Sequence, residues 1–186
     1  MSYCELVRQG IGEQHRVYHD TEYGFPLATD AELFGRLLLE INQAGLSWTT
    51  ILNKKENFHR AYAGYDIDRI ARFTDRDRAR LMADVGIIRN RLKIEAAIEN
   101  AKRLREIRES YGSFANWLDR HHPLECAQWV KLFQKTFRFT GGEIVREFLL
   151  STGYLPGAHD ADCPIFRKVK KQKPAWMRVS SGGNSR

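Results

Sequence analysis

Between Thr29 and Trp48 the chain carries an apolar stripe at helical spacing, closed by a glycine and reopened by a serine. Leu33, Phe34, Leu37, Leu38 and Ile41 recur at i, i+3 and i+4 steps behind a capping pattern, Thr29-Asp30-Ala31-Glu32. Gly45 ends this predicted helix, and Ser47 caps the next, which carries Trp48, Ile51, Leu52, Phe58 and Tyr62 on one side. The same punctuation continues down the chain. Asp66, Thr74, Asn90 and Ser113 stand at predicted helix starts, and Gly64, Gly86, Gly112 and Gly153 at predicted ends. Between them lie the stripes Ile67/Ile70, Leu81/Met82/Val85, Ile94/Ala97/Ile98/Ala101/Leu104, Phe114/Trp117/Leu118, Trp129/Leu132/Phe133 and Ile144/Val145/Phe148/Leu149. No stretch sustains the period of two that a strand requires, and no repeat recurs at solenoid spacing. The expected fold is all-α.

One residue of the first stripe is out of character. Glu40 falls close to the direction of Leu33 and Leu37 at 100° per residue, and a carboxylate there costs free energy unless it is paired or faces a cavity. Periodicity alone favours a boundary residue whose head reaches water. The sharper alternative is an acid in a pocket.

With 186 residues the chain can hold one well-filled domain, and no apolar run approaches the length of a membrane helix. Its start, Met1-Ser2-Tyr3-Cys4-Glu5, lacks the layout of a secretion signal, so a cytoplasmic, thiol-reducing setting and no membrane contact are expected. The formal net charge of +7 resides at the end of the chain, where Arg167, Lys168, Lys170, Lys171, Lys173, Arg178 and Arg186 meet no acid. Without them the basic residues equal the 23 Asp and Glu. The expected organisation is one domain over 1–166 and a basic, disordered tail over 167–186. Residues 1–28, rich in aromatics without a clear period, read as irregular.

Cys4 and His19 in that first segment, with His159 and Cys163 after the last predicted core helix, make up a complete tetrahedral zinc set. Each half alone is more simply surface histidines and free thiols. Together, in two segments lacking regular structure, they would staple the ends of the domain, and four protein ligands leave no position for a catalytic water. Cys126 reads as a small helix residue, and His121-His122 as a solvated helix end.

Gly86-Ile87-Ile88-Arg89 forms a tight hairpin between two predicted helices, with Asn90 as the cap of the second, leaving backbone N–H groups suited to a phosphate. Seven basic residues, Arg89 and Lys93 among them, face three acids between Gly86 and Arg108. Enzymes that act on a base within duplex DNA extrude it, plug the gap and hold the base between aromatic walls. Leu46 at the tip of the Gly45 turn suits the plug, and Trp48 with Tyr18 could stack on a base recognised by Glu40.

Tyr18-His19-Asp20-Thr21-Glu22-Tyr23-Gly24, Glu40 with Gln43-Ala44-Gly45-Leu46-Ser47-Trp48, Lys55-Glu56-Asn57-Phe58, Gly86-Ile87-Ile88-Arg89-Asn90-Arg91, Lys93-Ile94 and His159-x3-Cys163 together resemble the bacterial 3-methyladenine DNA glycosylase I family. The resemblance implies a helix-hairpin-helix glycosylase fold with a structural zinc on Cys4, His19, His159 and Cys163. It implies a base pocket at Glu40, Tyr18, Trp48 and Tyr23, the plug at Leu46, and DNA contacts at Gly45, Gly86, Arg89, Asn90 and Lys93. The expected activity is monofunctional excision of alkylated adenine, 3-methyladenine above all, from double-stranded DNA by a monomer working at the nucleoid. A damaged-DNA-binding module with the same zinc is the alternative. Departures cluster late in the chain: Phe139-Thr140-Gly141-Gly142-Glu143, Arg146-Glu147-Phe148-Leu149-Leu150 and Gly157-Ala158 replace the usual family runs, and Tyr23 stands where Trp is usual.

Overall fold

The computed structural model describes residues 1–178, and helix is the sole regular structure among them. Eleven α-helices follow in order: α1 Tyr3–Arg8, α2 Glu13–Thr21, α3 Asp30–Gln43, α4 Trp48–Ala61, α5 Ile67–Ala71, α6 Asp75–Ala83, α7 Arg91–Tyr111, α8 Phe114–His121, α9 Cys126–Thr136, α10 Gly142–Ser151 and α11 Pro164–Lys171. Short 3-10 turns occupy Ala63–Tyr65 and Ala175–Met177.

Helix α3 is the centre. Thr29 caps it with the reciprocal Glu32 contact, and every residue from Leu33 to Asn42 is buried, because α4, α7, α8 and α10 pack around it. The main core joins Leu37, Phe34, Phe58, Ile98, Trp129 and Phe148 with their neighbours. Asp30 also accepts the backbone N–H groups of Phe114 and Ala115 at the start of α8, tying two helix N-termini together. The caps at Ser47, Asp66, Thr74, Asn90 and Ser113 stand where the sequence puts them.

Three expectations need correction. Residues 1–28 are irregular only in part: they include α1 and α2, whose buried faces consist of Cys4 and of His15, Tyr18 and His19 rather than aliphatic residues. Val85 lies beyond the end of α6 and is 73% exposed, since Asp84 closes that helix one residue before the hairpin. The stretch after residue 166 is not disordered through residue 178. Val169 of α11 packs with Cys4, Cys163 and Ile165, the Trp176 ring stacks on Phe166, and Arg178 forms a two-pronged ion pair with Asp119. The remainder of the expected tail, 179–186, lies outside the described residues. Among the described residues, no helix is long and apolar enough to cross a membrane.

Candidate functional site

A cavity of about 630 Å³ opens between α2, the start of α4 and α10, and Glu40 of α3 reaches into its wall. Tyr18, Tyr23 and Trp48 supply the aromatic surface: Trp48 meets Tyr18 edge-on at 5.2 Å, and Tyr23 tilts against Tyr18 at 5.8 Å. Glu40 is 5% exposed. Burial lifts its carboxyl to about 8, the nearby Arg36 guanidinium works against that rise, and the charge of Glu147 adds to it. The Tyr18 hydroxyl is buried with no protein partner and held far above the usual phenol range, chiefly by burial. Behind Tyr18, Arg36 lies 4.9 Å over the ring while it donates to Ser151 O and Glu22, so its charge is engaged away from the cavity.

At the end of α3 the chain turns through Gly45 with φ of +80°, a conformation that favours glycine, and lifts Leu46 to the surface at 39% exposure. Gln43 bridges the turn by donating to Leu46 O at 2.9 Å. Lys93 stands beneath it. Its ammonium is buried and donates to Asn42 O at 2.9 Å and Ala44 O at 2.7 Å, so the phosphate contact expected of Lys93 gives way to a strut under the turn. Those carbonyls sit at a helix C-terminus, where a cation is favoured.

The hairpin between α6 and α7 is anchored by Ile87 in the core. Asn57 donates to Gly86 O at 3.1 Å, Lys54 donates to Val85 O at 2.9 Å, and Asp84 accepts the Gly86 N–H at 2.7 Å. A Cβ on Gly86 would come within 2.9 Å of the Asp84 carboxylate and 3.1 Å of the Asn57 amide, so a larger residue would have to displace the two side chains that hold the hairpin. The Gly86 N–H is thereby occupied rather than free. Asn90 accepts the Lys93 N–H at 3.2 Å, while the first-turn N–H groups of Arg91 and Leu92 have no acceptor within the helix, and Arg89 is exposed beside them.

Cys4, His19, His159 and Cys163 converge, all buried, with their ligand atoms within 4.8 Å of one another. The separations are 3.2 Å for His19 Nε2 to Cys4 Sγ, 3.2 Å for His159 Nδ1 to His19 Nε2, 3.6 Å for Cys4 Sγ to His159 Nδ1, and 3.8 and 3.9 Å from Cys163 Sγ to the two histidines. Tetrahedral bonds of about 2.0–2.3 Å place ligand atoms about 3.3–3.8 Å apart, so the spacing suits one metal ion. The chemistry of the set agrees. His159 Nε2 donates to Tyr23 O at 2.7 Å and His19 Nδ1 to Asp20 at 2.7 Å, which leaves two imidazole lone pairs facing each other. A shared cation relieves that repulsion. Cys4 and His19 come from α1 and α2 and Cys163 caps α11, so the four arrive largely on ordered helices rather than on loops.

The methyladenine glycosylase family description matches residues 9–131. The chain is 37% identical over 175 residues to the DNA-3-methyladenine glycosylase of Haemophilus influenzae, covering 83% of this chain and 94% of that protein. The chain belongs to the methyladenine glycosylase family. It is also 32% identical over 165 residues to DNA-3-methyladenine glycosylase 1 of Escherichia coli K12, covering 78% of this chain and 88% of that protein. A solved structure explaining 3-methyladenine recognition by 3-methyladenine DNA glycosylase I of Staphylococcus aureus superposes with a TM-score of 0.79 at 32% identity, over 89% of this chain and 97% of that one.

This methyladenine glycosylase brings Tyr18, Tyr23, Glu40 and Trp48 to one cavity, with the metal-ligand cluster behind Tyr18 and Tyr23. Leu46 and the hairpin lie outside the cavity wall. Sequence reasoning missed His15 and Glu147. His15 is buried in the cavity wall, 3.0 Å from the Tyr3 hydroxyl and 2.8 Å from the Thr49 hydroxyl, and burial pushes its pKa down. Glu147 stands three residues after Ile144 on the α10 stripe, the same anomaly that singled out Glu40 on α3.

Proposed function

We propose that this enzyme hydrolyses the N-glycosidic bond of 3-methyladenine in double-stranded DNA, acting as a monomer on nucleoid DNA in the cytoplasm. The observation that carries the reading is the buried Glu40 carboxyl in a cavity walled by Tyr18, Tyr23 and Trp48, a few residues from the exposed Leu46 turn. In this reading Leu46 fills the gap left by the extruded nucleotide, and the first turn of α7 with Arg89 receives a phosphate.

A purine alkylated at N3 is cationic while attached to deoxyribose and leaves as a neutral base. Glu40 gives up its proton on meeting that cation, stabilises its charge and accepts a hydrogen bond from its edge, while Tyr18 and Trp48 enclose the ring. Water then bonds to the deoxyribose carbon as the bond to the departing neutral base breaks, and the proton it sheds passes to solvent. Among the described residues no lysine lines the cavity, and Lys93 is committed to two carbonyls, so a lysine nucleophile forms no part of the mechanism. Zinc on Cys4, His19, His159 and Cys163 would supply a structural clamp, holding Tyr23 through its carbonyl and Tyr18 through the adjacent His19.

The test is release of free base from methylated duplex DNA. The expected result is 3-methyladenine with intact abasic strands, and a loss of about 100-fold in Glu40→Gln. Unchanged release in that variant removes Glu40 from the mechanism. Tight binding of abasic DNA without any release makes the protein a recognition module instead.

A further inference from the structure

A second carboxylate shares the cavity with Glu40. Glu147 lies on α10, which packs along α3, and its side chain is 31% exposed. The Tyr23 hydroxyl donates to one of its oxygens at 3.2 Å and Arg146 to the other at 2.8 Å, so its orientation is set from both sides. Among the described residues lining the cavity, Arg146 is the one Lys or Arg, against the carboxylates of Glu40, Glu143, Glu147 and Asp160. It is 51% exposed and divides itself between Glu147 and Glu143. In a protein with a formal net charge of +7, this wall is acidic.

Building on the base-pocket reading above, we propose that Glu147 is a specificity-determining residue which, together with Glu40, makes the cavity select positively charged nucleobases over neutral ones. Burial disfavours the charged form of both carboxyls, with Glu147 adding to the rise at Glu40 and Glu143 to the rise at Glu147. A neutral base offers hydrogen bonds but no charge to offset this, whereas a cationic base favours the ionised form of both. Charge discrimination therefore rests on the carboxylates. Glu147 contributes by charge rather than by a particular hydrogen bond, which separates it from a purely steric wall residue.

Two small probes isolate that contribution: 3,9-dimethyladeninium, a fixed cation, and 9-methyladenine, its neutral counterpart, each titrated calorimetrically into the full-length metal-loaded protein. Wild type is expected to favour the cation by at least about tenfold. Glu147→Gln keeps an oxygen for the Tyr23 hydroxyl and is expected to lose about tenfold in cation affinity while holding the neutral probe within twofold. Glu147→Asp, which keeps the charge, restores the preference. Equal weakening of both probes in Glu147→Gln, an unchanged ratio, or failure of the aspartate to restore it overturns the proposal. If wild type releases 3-methyladenine from DNA but the ratio ignores Glu147, this inference alone is lost. If it neither binds the probes nor releases base, the pocket reading falls with it.

Discussion

Burial lifts the Glu40 carboxyl to about 8, and this has a cost for the folded protein that is visible without substrate. Its carboxyl, raised from 4.5 to about 8 in the fold, holds its proton more tightly folded than unfolded. Between those two values unfolding releases a proton, so stability falls as pH rises from about 4.5 through 8 and levels off above. Glu40→Gln cannot ionise. Its melting temperature relative to wild type is expected to climb across that window, by an amount corresponding to roughly 3–5 kcal/mol at the alkaline end, and differential scanning calorimetry at pH 5 and pH 8.5 checks it; a constant gap refutes the buried-acid assignment. At this scale the site was half legible. Glu40 betrayed itself as a carboxylate on an apolar stripe, and Glu147 obeys the same rule three residues after Ile144. What periodicity cannot convey is whether the neighbouring helix leaves a space, so a stripe such as that of α10 reads as core until α3 is set against it. Lys93 fails for a related reason: a lysine at a helix start looks like a phosphate ligand until the carbonyls of Asn42 and Ala44 are found beside it.

Helix boundaries were the most readable feature, because capping is local. Thr29, Ser47, Asp66, Asn90 and Ser113 each bring their own acceptor to the first turn, Thr74 is tied to it by donating to Asp77, and no tertiary contact has to be guessed. Helices α1 and α2 escaped detection since their buried faces hold cysteine, histidine and tyrosine, which hydropathy patterning does not count as core. Helix α11 was hidden by its lysines, although Ile165 and Val169 keep a helical spacing beneath them. The turn between α3 and α4 joins these elements to function, and Lys93 offers a way to loosen it without touching the cavity. Lys93→Met preserves the apolar stem and strips the donor from Asn42 O and Ala44 O. A loss of about 1–3 kcal/mol in urea unfolding is expected. Base release should fall further than DNA affinity, because the Leu46 turn loses its support while the hairpin stays intact; equal losses in both would assign Lys93 to the phosphate backbone after all.

Across the whole molecule, the metal-ligand cluster joins what the main core does not. Cys4, Cys163, Ile165 and Val169 form a small cluster separate from the core built on α3, and Tyr18, Tyr23 and Leu150 form another. These two patches hold α1, α2 and α11 against the bundle with little apolar area of their own, so an ion held by the cluster would contribute folding free energy where the core contributes least. The Arg178–Asp119 pair and the Trp176–Phe166 stack close the same end of the chain but are exposed or small, and cannot replace it. The consequences of removing the metal should therefore be uneven. Metal analysis of the purified protein is expected to return about one zinc per chain. Stripping it with a chelator should lower the melting temperature and abolish release of 3-methyladenine, since Tyr23 loses the histidine its carbonyl holds and Tyr18 follows His19 out of the wall. Nonspecific, salt-sensitive DNA binding should survive, because the α6–α7 hairpin is anchored by Ile87 in the main core and not in the separate patch that holds Cys4 and Cys163. Re-addition of zinc should restore release. A metal-free protein that melts like the loaded one would show that apolar contacts alone hold the N-terminal helices, and parallel loss of release and of hairpin binding would show that the two halves unfold as one.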